Sequence, residues 1–381
     1  RLVVAGCLAE ALPDSIRGIS CRKVMGLLNG ARATAMADLF GDSSPSRPAG
    51  QDSMPNASLS CSPSSSSSSS PSRLPQSSAP ASSHPASSLC SLCSIVNVAE
   101  GCNGSCSYCI VRKARGRLKS RPPEEIIDQI KRLAAEGAAE IQIAAQDTAA
   151  YGRDLGFSLA GLLQMAVRVP GDFQLRVGMM NPDSILFQLE DLIEAFSSPK
   201  VYRFLHIPLQ SGSDEVLQSM GRKYKAKDFL AVADAFRKKY EDITIITDII
   251  TGFPGEREED FKESLRAIDH LQPDKVNVTR FSQRPGTRAV GMYDMPDRIK
   301  KDRSRAMTEL WLDIAARKNR RYLGRLLPCL AVEAGKGGTV KARAANYLGV
   351  VVVGEKIPLG SRVMVEITGC NSFYVSGRAV D

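Results

Sequence analysis

The sequence has 381 residues, enough for two or three domains, and 43% of them are hydrophobic, so a sizeable core can form. The formal net charge of +9 favours a polyanionic partner such as RNA. Ten clustered cysteines in a chain of this size argue against a secreted disulfide scaffold and indicate metal binding in a reducing compartment. The sequence contains no run of about 18 apolar residues, so it predicts no membrane-spanning segment.

The N-terminal part of the chain divides into two regions. LVVAGC, directly after Arg1, has the composition of a buried strand entered midway, with no signal peptide before it, and we expect the chain to extend upstream. Residues 41–90 contain 21 serines and 8 prolines, too little apolar surface to offset the entropy of ordering. We therefore predict a domain remnant at residues 1–40 and a disordered insertion at residues 41–93.

Cys90 and Cys93 form a CxxC pair at the end of this insertion. No strand–helix context or second cysteine pair accompanies them. We therefore interpret them as a solvated linker pair rather than as a redox or zinc motif.

From residue 95, short apolar runs alternate with amphipathic segments. The predicted strands lie at 94–100, 140–146, 173–179, 201–210, 243–252 and 275–281, and the predicted helices at 123–136, 158–168, 184–196, 213–220, 226–240 and 257–271. This alternation predicts an α/β fold, a parallel (βα)6 partial barrel, in which ligands bind at the C-terminal ends of the strands. A basic helical extension follows at 297–325, so this domain spans residues 94–325. Residues 326–381 are β-rich with glycine turns and predict a small β-barrel.

Cys102, Cys106 and Cys109 follow the first predicted strand, in GCNGSCSYCIV. Three thiolates at this spacing can hold three irons of a four-iron cluster, which normally takes four cysteines. The remaining iron is then open to a small molecule. A zinc knuckle or a disulfide pair are the alternatives, but zinc requires a fourth ligand and no His or Cys lies nearby downstream.

The order of several segments resembles that of the radical S-adenosylmethionine (SAM) methylthiotransferases. The matching segments are AGCLAEALP, EGCNGSCSYCIVRKARGRLKSRPPEEI, AAQDTAAYGRD, RVGMMNP, HIPLQSGSDEVLQSMGRKY, ITDIITGFPGE and FSQRPGTRA. The C-terminal part resembles TRAM, an RNA-binding β-barrel module. Within the family these segments most resemble those of the archaeal and eukaryotic branch, which modifies N6-threonylcarbamoyladenosine at position 37 of tRNA.

The resemblance implies two cofactors. Cys102, Cys106 and Cys109 would bind a [4Fe-4S] cluster whose open iron takes SAM. A second [4Fe-4S] cluster is bound in this family by three N-terminal cysteines, and Cys7 matches the last of them. Since the other two would lie upstream of Arg1, we expect two clusters in the full-length protein and one fully liganded cluster in this chain.

The resemblance also implies contacts to SAM. Tyr108 occupies the position whose aromatic ring lies near the adenine of SAM in this superfamily, although packing alone would also explain a tyrosine there. Gln146 and Asp147 match residues that contact the methionine part, and capping of a strand end is their structural alternative. Gln210 and Ser211 would face the same cavity. No side chain is assigned as a catalytic acid or base, because the radical step requires none.

The activity implied is that of a tRNA (N6-threonylcarbamoyladenosine(37)-C2)-methylthiotransferase. One SAM methylates a sulfur on the auxiliary cluster, and a second is cleaved to a 5′-deoxyadenosyl radical that removes the C2 hydrogen of the adenine. The expected partners are the tRNA anticodon loop and an electron donor protein. We expect a monomer in the cytoplasm.

RNA contacts are expected from the basic segment 298–325 and from the C-terminal barrel. The barrel residues expected to contact phosphates are Lys336, Lys341, Arg343, Arg362 and Arg378, and those expected to stack on bases are Tyr347, Phe373 and Tyr374. A solvated charged surface would explain the same residues.

Three other functions remain open at this point. The first two are sibling methylthiotransferases, one acting on N6-isopentenyladenosine in tRNA and one on an Asp of a ribosomal protein. The third is a non-catalytic RNA-binding protein, which the intact CNGSCSYC loop disfavours.

Overall fold

The computed structural model describes residues 3–4, 23–24, 92–354 and 357–380. The strands are β1 Val3–Val4, β2 Lys23–Val24, β3 Cys93–Asn97, β4 Ala99–Glu100, β5 Lys119–Ser120, β6 Glu140–Ala144, β7 Gln174–Val177, β8 Phe204–His206, β9 Thr244–Thr251, β10 Lys275–Arg280, β11 Leu326–Ala334, β12 Val340–Ala344, β13 Gly349–Val353, β14 Arg362–Cys370 and β15 Val375–Val380. The helices are α1 Val111–Arg115, α2 Pro123–Ala135, α3 Leu159–Ala166, α4 Pro182–Leu186, α5 Leu189–Ala195, α6 Asp214–Ser219, α7 Ala226–Lys239, α8 Glu258–Leu271 and α9 Asp297–Arg320, with 3-10 turns at Thr148–Ala150 and Lys336–Gly338.

The N-terminal predictions can be compared with the structure at only a few positions. β1 and β2 pair in parallel. The rest of the 1–40 remnant, including Cys7, lies outside the described residues. The predicted insertion at 41–93 is described only at its last two residues, and Cys93 already begins β3.

Six parallel strands form the partial barrel, as the sequence predicts. They are arranged as two three-stranded sheets, in the orders β3-β6-β7 and β10-β9-β8. A parallel bridge between Leu175 and Val201 joins the sheets, together with a hydrogen bond from the Met180 amide to the His206 carbonyl (2.9 Å). Helices cross over between the strands, so the carboxyl ends of all six strands meet at one rim.

Helix α2 shows why the sequence forms this helical layer. Pro123 occupies its first turn with Glu124 and Glu125, an arrangement that suits both the fixed proline φ and the helix dipole. Ile126 and Ile130 are fully buried against the sheet, and each burial contributes about 1.5–3 kcal/mol. The helix ends before Gly137, whose φ of +89° allows the reversal into β6.

The predicted strand at 94–100 is divided in two. β3 ends at Asn97, and β4 instead pairs antiparallel with β5, which the sequence reading missed. This short hairpin connects the two ends of the segment that carries Cys102, Cys106 and Cys109. The break therefore turns the chain away from the sheet and closes the cysteine segment into a loop at the rim.

Helix α9 is attached to the partial barrel by two buried cations. Lys300 donates to Asp294 (2.7 Å), and Arg303 donates to Glu256 (2.5 Å); both cations are buried. A Cβ on Gly252 would lie 2.5 Å from Lys300 Cγ, so the glycine at this position leaves the room that the Lys300 side chain occupies. Lys300 and Arg303 are therefore not available to RNA, which corrects the expectation for this part of segment 298–325.

The C-terminal residues form a closed barrel with the strand order β11-β12-β13-β15-β14. Its first strand begins at Leu326, the residue at which the sequence places the domain boundary. Tyr347 does not present a free stacking face, because its ring packs against Tyr202 (4.9 Å) and Phe204 (4.8 Å) of the partial barrel. Arg362 is paired with Asp172 (2.5 Å) across the same contact.

The buried ion pair of Arg303 gives a stability prediction. Arg303→Met should lower the free energy of unfolding by about 3–5 kcal/mol, because Glu256 would remain buried without its cation. Urea unfolding followed by circular dichroism measures the loss. Arg305→Met, an exposed residue two positions along α9, is the control and should change stability by about 0.5 kcal/mol or less. Equal losses in the two variants would contradict the role given to the ion pair.

Candidate active site

The cysteine loop, residues 101–110, begins at a glycine that no other residue can replace without strain. Gly101 has a φ of +76°, and a Cβ there would lie 2.1 Å from the carbonyl oxygen of Arg117. The next amide, that of Cys102, donates to the Gly116 carbonyl (3.2 Å). The start of the loop is therefore held against Gly116 and Arg117, which follow α1.

The middle of the loop is attached to two other elements. The Ser107 amide donates to the Met220 carbonyl at the end of α6 (2.8 Å), and the Ser107 hydroxyl donates to the Ser219 carbonyl (3.0 Å). The Ala289 amide, from the loop after β10, donates to the Ser107 carbonyl (2.8 Å). These bonds fix the loop above the strand ends.

The three cysteines of the loop are free thiols, each partly buried. Burial raises the pKa of Cys102, which the Gly104 amide partly offsets by donating to its sulfur (3.2 Å). Burial also raises the pKa of Cys106, and the nearby Arg222 guanidinium offsets it in part. Metal binding requires thiolates, so it must release the protons of these thiols.

A cavity, here called the inner cavity, opens beside the loop on its barrel side. Its walls include Cys102, Cys106, Asp147, Asn181 and Arg222. The Asp147 carboxylate is buried and accepts from the Asn181 amide (3.0 Å) and the Ser184 hydroxyl (2.7 Å). Burial raises its pKa, and these hydrogen bonds oppose the rise. Asp147 thus both lines the cavity and holds the start of α4.

Three cations line the inner cavity, the half-buried Arg222 and the exposed Arg153 and Lys223. Arg222 donates from Nη2 to the Tyr108 hydroxyl (2.5 Å) and from Nη1 to Asn181 Oδ1 (3.0 Å). Its buried Nε has no hydrogen-bond partner among the described residues. A cation at the wall of a cavity is suited to an anionic group of a ligand.

The other residues predicted to contact SAM have different surroundings. Tyr108 packs edge-on against Phe253 (6.1 Å), and burial raises its pKa to about 12. Gln146 has a buried Oε1 without a partner among the described residues. Gln210 adopts a φ of +72° and bridges to β9 through its backbone, and the buried Ser211 hydroxyl contacts that of Ser264 on α8 (3.3 Å). Their contacts with SAM stay predictions.

Comparison with known proteins places this site in a family. Residues 96–268 match the model of the radical SAM superfamily. The chain is 42% identical over 289 residues to a probable threonylcarbamoyladenosine tRNA methylthiotransferase of Pyrococcus abyssi, covering 75% of this chain and 67% of that protein. It is 39% identical over 298 residues to the threonylcarbamoyladenosine tRNA methylthiotransferase of Drosophila pseudoobscura pseudoobscura, covering 76% of this chain and 52% of that protein.

The chain belongs to the radical SAM methylthiotransferase family. It spans about two thirds of the length of its archaeal relatives and about half of the length of the fly relative. Among solved structures, the chain is similar to the radical SAM enzyme coproporphyrinogen III oxidase (HemN) of Escherichia coli, with a TM-score of 0.45 at 12% identity, covering 72% of this chain and 66% of that chain.

The cysteine loop fits the four-iron cluster of this family. A Cβ on Gly104 would lie 3.1 Å from the sulfur of Cys102 and 3.8 Å from that of Cys106, so both sulfurs flank a space that only glycine leaves open. Among the described residues, no three His, Cys, Asp or Glu side chains are arranged to hold a single metal ion. A cluster with its own sulfides is larger than one ion, and three thiols can hold three of its four irons.

The sequence reading missed Arg222 and Asn181 as members of the site. Both stand in segments that the sequence analysis singled out, RVGMMNP and the string ending in MGRKY. Asn181 precedes Pro182 at the start of α4, a pattern that indicates a helix cap rather than a ligand contact. An arginine flanked by glycine and lysine is more often solvated, so only the fold reveals its position.

Gly104 provides a test of the cluster site. Gly104→Ala should leave the fold intact but speed the loss of iron to a chelator by about tenfold, because the added methyl group crowds two of the three sulfurs. Iron and sulfide analysis after anaerobic reconstitution, followed by chelation, gives the rate. Ser105→Ala changes the neighbouring exposed residue and should retain the cluster as the parent does. Equal retention in both variants would exclude the space around Gly104 as the cluster site.

Proposed function

We propose that this chain is the catalytic core of a tRNA methylthiotransferase that adds a methylthio group to C2 of N6-threonylcarbamoyladenosine at position 37. The observation that carries the proposal is a three-thiol loop, fixed at the carboxyl rim of a parallel partial barrel. The relatives named for this nucleoside support the choice of substrate over isopentenyladenosine or a ribosomal protein.

The side chains of the site have separate tasks in this proposal. Cys102, Cys106 and Cys109 would hold the four-iron cluster, which supplies one electron for the cleavage of SAM when it is bound. Arg222, which lines the inner cavity, would pair with the carboxylate of the methionine part. Asp147 keeps Asn181 in place, so the wall of the cavity is rigid before the ligand arrives.

The proposed RNA-binding surface lies on the C-terminal barrel. Phe373 is 70% exposed and Tyr374 is 41% exposed, so their rings can stack on bases. Lys336 is exposed as well. Lys341 and Arg378 are paired with Glu333 (2.8 Å) and Glu366 (2.9 Å), and such surface pairs exchange readily for phosphate contacts because each contributes little.

The proposed compartment is the cytoplasm. Free thiols, which a reducing compartment preserves, are found at Cys102, Cys106, Cys109, Cys329 and Cys370. The described residues contain no helix that is long and apolar enough to cross a membrane.

Cys106 tests the chemistry. Cys106→Ala should abolish the formation of 5′-deoxyadenosine from SAM under anaerobic reducing conditions, because two thiols cannot hold the cluster. Chromatography of the nucleoside products measures it. Cys370→Ala, in the C-terminal barrel, removes a free thiol distant in sequence from the loop and should leave the yield unchanged. Continued SAM cleavage by the Cys106 variant would refute the assignment of the loop.

A second experiment tests the substrate. Full-length protein should convert tRNA that carries N6-threonylcarbamoyladenosine and should leave the same tRNA without this modification unchanged. Mass spectrometry of digested nucleosides detects the methylthio product. Conversion of isopentenyladenosine tRNA instead would transfer the proposal to the sibling enzyme.

A third measurement concerns the number of clusters. Cys7 is the single auxiliary ligand that the resemblance finds in this chain, so anaerobic reconstitution should give about four irons per chain. Roughly eight irons would show that other cysteines complete a second site.

A further inference from the structure

The cysteine loop borders a second depression, on the side away from the inner cavity. This outer depression is lined by Cys102, Cys106 and Cys109, by α1 and by the loop that follows β10. Cys102 and Cys106 line both spaces, whereas Cys109 lines only the outer depression. A cluster on the three thiols would therefore be approached from two sides, and SAM with its substrate requires only one of them.

The charge of the outer depression differs from that of the inner cavity. Its charged lining residues are Arg112, Lys113 and Arg288, all three exposed, and no carboxylate of the described residues lines it. The inner cavity, by contrast, has charges of both signs, since Asp147 and Asp183 line it together with Arg153, Arg222 and Lys223. The two sides of the same loop are thus suited to different partners.

The cations of the outer depression have defined positions. Arg288 donates to the carbonyl oxygen of Ser105, within the cysteine loop itself. The Lys113 ammonium lies close over Gly286, where a Cβ would be 2.8 Å from Nζ. α1 and the loop after β10 therefore form one charged rim rather than independent flexible side chains.

Exposed apolar side chains accompany this rim on the loop after β10. Val290 is 46% exposed, Met292 37% and Tyr293 76%. An amide–carbonyl bond from Val290 to Thr287 (3.2 Å) and one from Met292 to Ala289 (3.3 Å) fold them into a turn next to Arg288. A cluster of cations beside a small apolar patch is typical of a transient interface with an acidic protein.

We propose that the outer depression is the docking surface for the electron donor, a small acidic protein that carries a flavin or an iron–sulfur group. The proposal rests on the proposed function, because it assumes a cluster on the three thiols. One electron leaves the reduced carrier, which is oxidised by one electron, and enters the cluster, which is reduced by one. No bond forms or breaks and no proton moves in this step.

Charge reversal on α1 tests the docking surface. Arg112→Glu/Lys113→Glu should weaken the binding of oxidised flavodoxin, the acidic probe protein, by about tenfold or more at low salt. Calorimetry with the cluster-loaded chain measures this affinity without turnover. The matched control is Lys238→Glu/Lys239→Glu, which changes the net charge equally at another exposed lysine pair, in the last turn of α7, and should bind as the parent does.

Two reductants separate the failure of docking from the failure of the proposed function. Stopped-flow absorbance should show that the α1 variant oxidises flavodoxin hydroquinone about tenfold more slowly than the parent, and that added salt slows the parent but hardly the variant. Reduced methyl viologen, a small cation, should support equal SAM cleavage by parent and variant. If the parent fails with viologen as well, the proposed function is refuted.

Other results would overturn the docking surface alone. If flavodoxin fails to bind the parent, or binds parent, α1 variant and control equally, the docking proposal is refuted while viologen-driven cleavage persists. Gel-shift titration with tRNA provides the remaining arm. If the α1 variant loses affinity for tRNA and not for flavodoxin, the outer depression contacts an RNA backbone instead.

Discussion

The close approach of two backbone segments at Gly101 and Arg117 is the constraint on which the candidate site depends. Because a Cβ at Gly101 would lie 2.1 Å from the Arg117 carbonyl oxygen, the chain can close the cysteine loop only with glycine at that position. The β4–β5 hairpin extends this contact, and Ser107 holds the far side of the loop to α6 and to the loop after β10. The three thiols of the loop thereby line the same depression before any metal binds.

The same constraint organises the two faces of the loop. On the barrel side, Arg222 connects Tyr108 to Asn181, and Asp147 connects Asn181 to α4, so the inner cavity has polar walls. On the outer side, the loop after β10 reaches the cysteine loop through Ala289 and Arg288. Elements from both three-stranded sheets therefore converge on ten residues, and this convergence gives the partial barrel one functional rim.

The positive charge of the chain is divided among tasks that the net value of +9 cannot distinguish. Lys300 and Arg303 are buried in ion pairs with Asp294 and Glu256, and Arg362 joins the C-terminal barrel to the partial barrel. Arg112 and Lys113 remain exposed beside the cysteines. Burial decides between these roles. A cation removed from water requires an anionic partner, whereas an exposed cation keeps its hydration shell.

The sequence by itself determined the order of the elements and the spacing of the three cysteines that we propose as cluster ligands. Period-two and helical patterns are local, so the six strands and the helices around Ile126 and Phe261 could be read from neighbouring residues. The spacing of the three cysteines is local as well. The tertiary structure alone decided where Arg222 lies, why Tyr347 packs against Tyr202 and Phe204, and which side of the loop is basic. These depend on contacts between residues more than 100 positions apart, such as Arg222 with Tyr108 and Arg288 with Ser105, for which no local pattern exists.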